Sequence, residues 1–194
     1  MRGLLIAFEG LDQSGKQTQA ELLRDRLTAL GRRVRLLSFP DYHTHIGGEI
    51  GAALRGERGY GADVMQLLYV ANRYEFKAEI ERDKAAGTIL ICDRYLASSV
   101  AYGEAHDLDG DWLRDMQRYL PRPDVTILLD IEPEVSARRK TSDRDKYERD
   151  LALLGRVRAS YLRQAEGGGW VRLDANRDRA AVAIDVWNSV APIL

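Results

Sequence analysis

A short apolar run, Leu4 to Phe8, leads into Gly10-Leu11-Asp12-Gln13-Ser14-Gly15-Lys16, and an amphipathic stretch follows to about Leu30, where Gly31 ends it. This G-x-x-x-x-G-K spacing between a buried strand and a helix is the form of a phosphate-binding loop. Its glycines let successive backbone N–H groups converge on one concavity, and the N-terminus of the following helix adds partial positive charge there. Lys16 then reaches the β- and γ-phosphates as a point charge. Gln17 stands where such loops place Ser or Thr, whose hydroxyl serves Mg²⁺. The amide oxygen of Gln17 is a hard donor on a longer chain, so three outcomes stay open: direct ligation, ligation through water, or none. Thr18 lies about 100° further round the helix, better placed for a phosphate nearer the nucleoside than for the metal.

The rest of the chain repeats the strand–helix alternation. Val34 to Phe39 reads as a second strand stopped by Pro40, Thr88 to Cys92 as a third, Val125 to Asp130 as a fourth and Val171 to Asp174 as a fifth. Helices are expected over Gly47 to Leu54, Val64 to Ala86 as one long element, Trp112 to Tyr119, from Pro133, onward to about Glu166, and from Arg177. Apolar strands without polar alternation are buried on both faces, which requires helices on both sides of a parallel sheet. The expectation is an α/β fold of the P-loop NTPase type. It is a three-layer sandwich with a parallel sheet of about five strands, carried by one domain over residues 1–194. A charged segment, about residues 138–150, stands out as a basic lid.

Acidic and basic residues nearly cancel, 30 against 29, so no global field favours nucleic acid or a membrane. Anionic ligands must then be held by local clusters. The lone Cys92 excludes a disulfide framework or a Cys-rich zinc site, and His43, His45 and His106 do not form a metal set. No apolar run reaches membrane-spanning length, and MRGLLIAFEG reads as a buried strand rather than a leader. The expected setting is the cytoplasm.

The stretch CDRYLASSVAYG (Cys92 to Gly103) narrows the class further. Together with FEGLDQSGK, FPDY (Phe39 to Tyr42), LLYVANRYE (Leu67 to Glu75), PDVTILLD (Pro123 to Asp130) and DKYE (Asp145 to Glu148), it resembles the thymidylate kinase family in order and spacing over nearly the whole chain. That resemblance implies transfer of the γ-phosphoryl of ATP to dTMP, with Mg²⁺ and a homodimer. It implies an ATP site from Gly10 through Thr18 (Gly10, Leu11, Asp12, Gln13, Ser14, Gly15, Lys16, Gln17, Thr18) with Arg138. Asp12 resembles the contact to the sugar 3′-hydroxyl of dTMP, Phe39 and Pro40 the wall of the monophosphate pocket, and Tyr42 a neighbour of its phosphate. Tyr69 occupies the position that stacks on thymine, and Arg73 the position that reads its carbonyl. Ser98 and Ser99 fall where base-edge contacts are made. Tyr102 resembles the ring that crowds the ribose 2′ position, and Tyr147 the lid aromatic beside the substrate. Asp93 is similar to the acid that supports Mg²⁺ through water, with Gln17 as the other metal candidate, and Arg94 to the arginine that clamps the transferring phosphoryl.

Physical chemistry agrees with this assignment. The acceptor is itself a phosphate with a second pKa near 6, so it is largely dianionic at pH 7 and requires no general base. The work is to bring two polyanions together and to stabilise charge on the equatorial oxygens, which calls for cations: Lys16, Arg94 and an arginine of the lid. In one form of the family an arginine follows the loop aspartate. Here Gln13 is uncharged and SARRKTSDRDKYE carries the cations, so Arg144 is the expected moving arginine, with Arg138 or Arg139 next. Two readings stay beside this one: a kinase for another monophosphate or a nucleoside, and a nucleotide-binding protein with reduced catalysis because of Gln17.

Overall fold

The computed structural model describes residues 2–139 and 150–194. In chain order the elements are β1 (Leu4–Glu9), α1 (Lys16–Ala29), β2 (Val34–Ser38), α2 (His45–Leu54), α3 (Ala62–Glu75), α4 (Lys77–Ala85), β3 (Ile89–Asp93), α5 (Leu96–Glu104), α6 (Gly110–Asp115), β4 (Val125–Asp130), α7 (Pro133–Arg139), α8 (Leu151–Ala165), β5 (Trp170–Asp174) and α9 (Arg179–Val190). The five strands form one parallel sheet in the order β2-β3-β1-β4-β5. Every residue of β1 and β4 is buried, as the apolar runs require of strands covered on both faces. Alternate side chains of β1 divide between two cores. Leu4, Ile6 and Phe8 join Leu23 and Leu27 of α1 and Val182 and Val186 of α9, while Leu5 and Ala7 join Ile80 of α4 and Leu90 and Cys92 of β3.

The fold matches the expected P-loop-type α/β architecture, with three differences in the helices. The long helix expected over Val64 to Ala86 is broken at Phe76 into α3 and α4. There the Phe76 N–H turns to the Arg73 carbonyl three residues back, at 3.1 Å, and its ring packs edge-on against Phe39 at 5.5 Å between centroids. Apolar periodicity runs unbroken through such a kink, because both halves keep one face on the core. The second difference is α5, which carries CDRYLASSVAYG onward from β3 as a helix of its own. The helix expected over Trp112 to Tyr119 is shorter and earlier, with Asp109 accepting the Trp112 N–H at 2.7 Å as its cap.

Parallel strands bring their C-terminal ends to one edge, where α/β folds bind ligands. Glu9, Ser38, Asp93 and Asp130 are the last residues of their strands. Phe8 and Ser38 both pair in register with Asp93, so the sequence-distant loops after β1, β2 and β3 meet there.

Candidate active site

The loop after β1 is shaped by glycine and then pinned from outside. A side chain at Gly10 would lie 2.4 Å from the Leu129 carbonyl oxygen of β4, and its φ of +138° is one that L residues rarely adopt. Gly15, at φ 92°, is the N-cap of α1 and contributes no side-chain cap, and the first turn carries no acid, so its N–H groups remain open to an anion. From α7, Ser136 Oγ donates to the Asp12 carbonyl at 2.7 Å and Arg139 Nη1 donates to the Gln13 carbonyl at 3.0 Å. Arg139 Nη2 also reaches the Ala175 carbonyl at 3.0 Å, which makes this arginine a brace of the loop. Arg138, on the exposed side of α7, lines neither cleft described below.

Lys16 is buried and donates to the loop's own carbonyls, Leu11 at 2.7 Å and Gly10 at 3.1 Å. Burial first, and the Arg94 cation second, push its ammonium down to about 8, against the pull of Asp12, Asp93 and Glu9. Leu11 packs into the core, and Ser14 is buried with its hydroxyl unpaired among the described residues.

Arg94, directly after β3, is the centre of the arrangement. Its backbone has φ 63°, and its N–H donates to the Phe8 carbonyl at 2.9 Å. Nη2 donates to Asp12 Oδ1 at 2.5 Å and to the Tyr102 hydroxyl at 3.3 Å, and that hydroxyl donates to Asp12 Oδ2 at 3.2 Å. Nη1 donates to the Gly10 carbonyl at 3.2 Å and to the hydroxyls of Ser98 and Tyr161, each at 3.3 Å. Burial alone would raise the Asp12 carboxyl, but the Arg94 and Lys16 charges and the hydrogen bonds from Arg94 and Tyr102 hold it well below the usual carboxylate range. Asp12 raises Arg94 in turn, against the opposing effect of burial.

Beside it lies a pocket of about 640 Å³ whose lining comes from five segments. α3 presents Gln66, Tyr69 and Arg73, one helical stripe at spacings of three and four. Arg73 Nη1 donates to Ser99 Oγ at 2.6 Å and to Gln117 Oε1 at 3.5 Å. Arg73 Nε and Gln66 Oε1 are buried without a hydrogen-bond partner among the described residues, which burial makes costly unless a ligand supplies one. α5 adds Ser98, Ser99 and Tyr102, and the segment after β2 adds Phe39, Pro40 and Tyr42. Asn72 fixes that last segment: its Oδ1 accepts the Asp41 N–H at 2.8 Å and its Nδ2 donates to Thr44 Oγ1 at 2.9 Å. Gly47 admits the same turn, since a side chain there would overlap the Asp41 carbonyl.

A second cleft adjoins the first and is lined by Gln13, Gly15, Lys16, Gln17, Thr18, Ser38 and Asp93. Asp12, Phe39, Pro40, Tyr42 and Arg94 line both clefts and so form the wall between them. Gln17 Nε2 donates to Glu21 Oε1 at 3.0 Å, one turn along α1. Of the residues singled out in the sequence, Arg144 and Tyr147 lie outside the described residues. Ser98 lines the pocket, yet its hydroxyl donates inward to Glu9 Oε2 at 2.6 Å. Sequence reasoning missed Glu9, Ser38, Gln66 and Tyr161. A carboxylate closing an apolar strand was a legible signal for Glu9; nothing local marks Tyr161.

Comparison with known proteins bears on this geometry. The family model for thymidylate kinase matches residues 8–186. A thymidylate kinase of Schizosaccharomyces pombe is 36% identical over 180 residues, covering 90% of this chain and 85% of that protein. The thymidylate kinase of Homo sapiens is 32% identical over 187 residues, covering 95% and 88% respectively for this chain and that one. The solved structure of thymidylate kinase from Candida albicans superposes with a TM-score of 0.84 at 27% identity, covering 98% of this chain and 92% of that chain. A loop, an arginine-centred wall and an aromatic pocket thus occur in a chain matched along most of its length, and the chain belongs to the thymidylate kinase family.

Proposed function

We propose that this protein transfers the γ-phosphoryl group of ATP to dTMP, giving dTDP and ADP. One observation carries the reading: Arg94 stands in the wall common to the phosphate-loop cleft and the aromatic pocket, beside the point where a donor and an acceptor phosphate must meet. In the reaction an acceptor phosphate oxygen forms a bond to the γ-phosphorus, and the bond from that phosphorus to the β–γ bridging oxygen breaks. The acceptor oxygen is already ionised, so the residues have charge to stabilise and little proton to move. The backbone N–H groups of the loop and α1 cradle the donor. Lys16 exchanges its two carbonyl partners for phosphate oxygens, whose negative charge favours its ammonium form. Arg94, held by Asp12, meets the transferring group with a planar fork suited to it. Tyr69 stacks on thymine, Arg73 donates to its carbonyl from a site with a donor to spare, and Tyr102 closes the space beside the sugar. Arg144 brings the lid's cation to the same centre, a proposal that rests on sequence alone.

The donor set fits Mg²⁺. Asp93 and Gln17 line the phosphate cleft together, and the hydrogen bond from Gln17 Nε2 to Glu21 leaves the amide oxygen as the group available to a hard cation. Two protein oxygens are enough, because Mg²⁺ keeps waters and takes the rest of its shell from phosphates. Among the described residues no group of three or more His, Cys, Asp or Glu could hold a metal. When bound, the ion neutralises charge on the donor phosphates. The proposal extends to a homodimer and to the cytoplasm, both carried by the likeness to the family.

A coupled assay of ADP release with Mg²⁺-ATP and a panel of dTMP, dUMP, UMP, CMP, AMP and GMP tests the proposal. The expected result is acceptor-dependent turnover, highest with dTMP. No dependence on any acceptor would remove the kinase reading, and turnover with AMP but not dTMP would remove the substrate.

A further inference from the structure

Glu9 is a fully buried carboxylate that the transfer reaction above does not use. It accepts four hydrogen bonds: the backbone N–H of Tyr95 at 2.8 Å and of Ser98 at 3.3 Å on Oε1, and the hydroxyls of Ser98 at 2.6 Å and Tyr161 at 3.1 Å on Oε2. None of these donors is charged. Its carboxyl faces Arg73 and Lys16 without bonding to either, and a glutamine oxygen would brace the start of α5 equally well. A carboxylate at this position therefore has a use beyond bracing the fold.

The hydrogen-bond directions show what that carboxylate acts on. Ser98 and Tyr161 each spend their single proton toward Glu9 or, for Tyr161, toward Ser98 Oγ at 2.8 Å. Their lone pairs are then turned outward, and both accept from Arg94 Nη1 at 3.3 Å. Chains of this kind strengthen one another in a low-dielectric interior. Asp12 grips Nη2 directly, and Glu9 grips Nη1 through two hydroxyls. The three elements that meet here are β1, α5 and α8, so no stretch of sequence contains the clamp.

We infer that Glu9 and Tyr161 are positioning residues that, with Ser98, hold the Arg94 guanidinium in its transfer-ready orientation. The inference rests on the reading of Arg94 as the arginine of the transferring phosphoryl. Their removal lowers turnover more than it weakens substrate binding, since an arginine that wanders costs most where geometry must be met closely.

Glu9→Gln and Tyr161→Phe are compared with wild type by steady-state kinetics with ATP and dTMP, by thermal melting, and by ¹⁵N NMR of the arginine side chains. The Arg94 signal is assigned by its loss in Arg94→Ala. Each variant is expected to lose about tenfold in kcat, the scale of outer-shell partners elsewhere, with the dTMP KM moving less than about threefold. The Arg94 guanidinium signal is expected to broaden as its rotation is freed. Tyr161→Phe, which removes one oxygen, keeps the test alive if Glu9→Gln does not fold. Unchanged kcat in a folded variant, or a lost kcat with an unchanged Arg94 signal, overturns the inference. A wild type without transfer from ATP to dTMP overturns the functional reading instead, and the NMR comparison still reports on the clamp.

Discussion

Two carboxylates at the C-terminal edge of the sheet hold arginines, and they do so to different ends. Asp130, at the end of β4, takes Arg158 of α8 on both oxygens at 2.7 and 3.2 Å and Arg172 of β5 at 2.6 and 3.0 Å on Oδ2. Arg158 spends a further donor on Glu132 at 2.5 Å. Asp12 takes Arg94 at one short contact, while the second nitrogen of Arg94 is spread over three neutral oxygens at 3.2 to 3.3 Å. The first cluster is closed and joins three elements. In the second, Arg94 itself lines two clefts, so it can meet a substrate phosphate while its inner partners hold it in place. Opposite charges at a strand end are thus common to brace and site; access to the clefts distinguishes them.

The largest effect that would sharpen this contrast is on Arg94. Arg94→Ala is expected to reduce kcat by at least about 10³-fold, the scale of transition-state arginines in phosphoryl transfer. A loss of less than tenfold in single-turnover experiments would place Arg94 with the braces. Asp130→Asn should behave in the opposite way. It is expected to lower stability by about 2 kcal/mol, as for hydrogen bonds to a charged group, with kcat within about twofold of wild type. The outer Arg172 contributes least to that figure because its side chain is 56% exposed.

The same residue gives a pH test. Burial would raise the Asp130 carboxyl, but hydrogen bonds from Arg158 and Arg172 outweigh it and lower the pKa in the folded protein. The stabilisation it contributes is then complete above the unfolded aspartate value near 3.9 and is lost as pH falls through the lower folded value. Denaturant titrations of wild type and Asp130→Asn should differ at pH 7 and converge below about pH 4; a constant difference down to pH 2 would contradict the assignment.

Much of this was legible in the sequence. The glycine loop, the five strands and the burial of β1, β3 and β4 follow from spacing and apolar runs, because backbone-built features are written locally, whereas β2 and β5 lie at the sheet's edges and are only partly covered. Tyr69 and Arg73, on one stripe of α3, were legible only through the resemblance of LLYVANRYE to the family, and Arg94 through that resemblance together with its place at a strand end. The fully buried Gln66, on the same stripe, was not, since its role depends on a missing partner and not on a pattern. Tyr161 was illegible for the same kind of reason: it is one more apolar position on α8 until α5 and β1 are placed against it. The break at Phe76 escaped because a kink driven by one aromatic contact leaves periodicity intact.

The smallest effect concerns the residue that departs from the loop pattern. Gln17→Thr replaces an amide tied to Glu21 with a hydroxyl at the usual position, and is expected to lower the Mg²⁺ concentration for half-maximal rate by about two- to fivefold. That range corresponds to about 0.4–1 kcal/mol. A Mg²⁺ titration that does not move would show that Asp93 and the phosphates suffice.

The wall of Asp12, Phe39, Pro40, Tyr42 and Arg94 has an implication for compounds that span both clefts. Each of its residues has two sides but only one set of atoms, so a linked adenosine–thymidine oligophosphate meets the partition once where two separate ligands meet it twice. Its affinity gains from tethering but forfeits whatever each half would have drawn from Arg94 alone. Calorimetry of a series of such compounds, lengthened one phosphate at a time, should therefore pass through an optimum at the length that lets both halves fill their clefts at once.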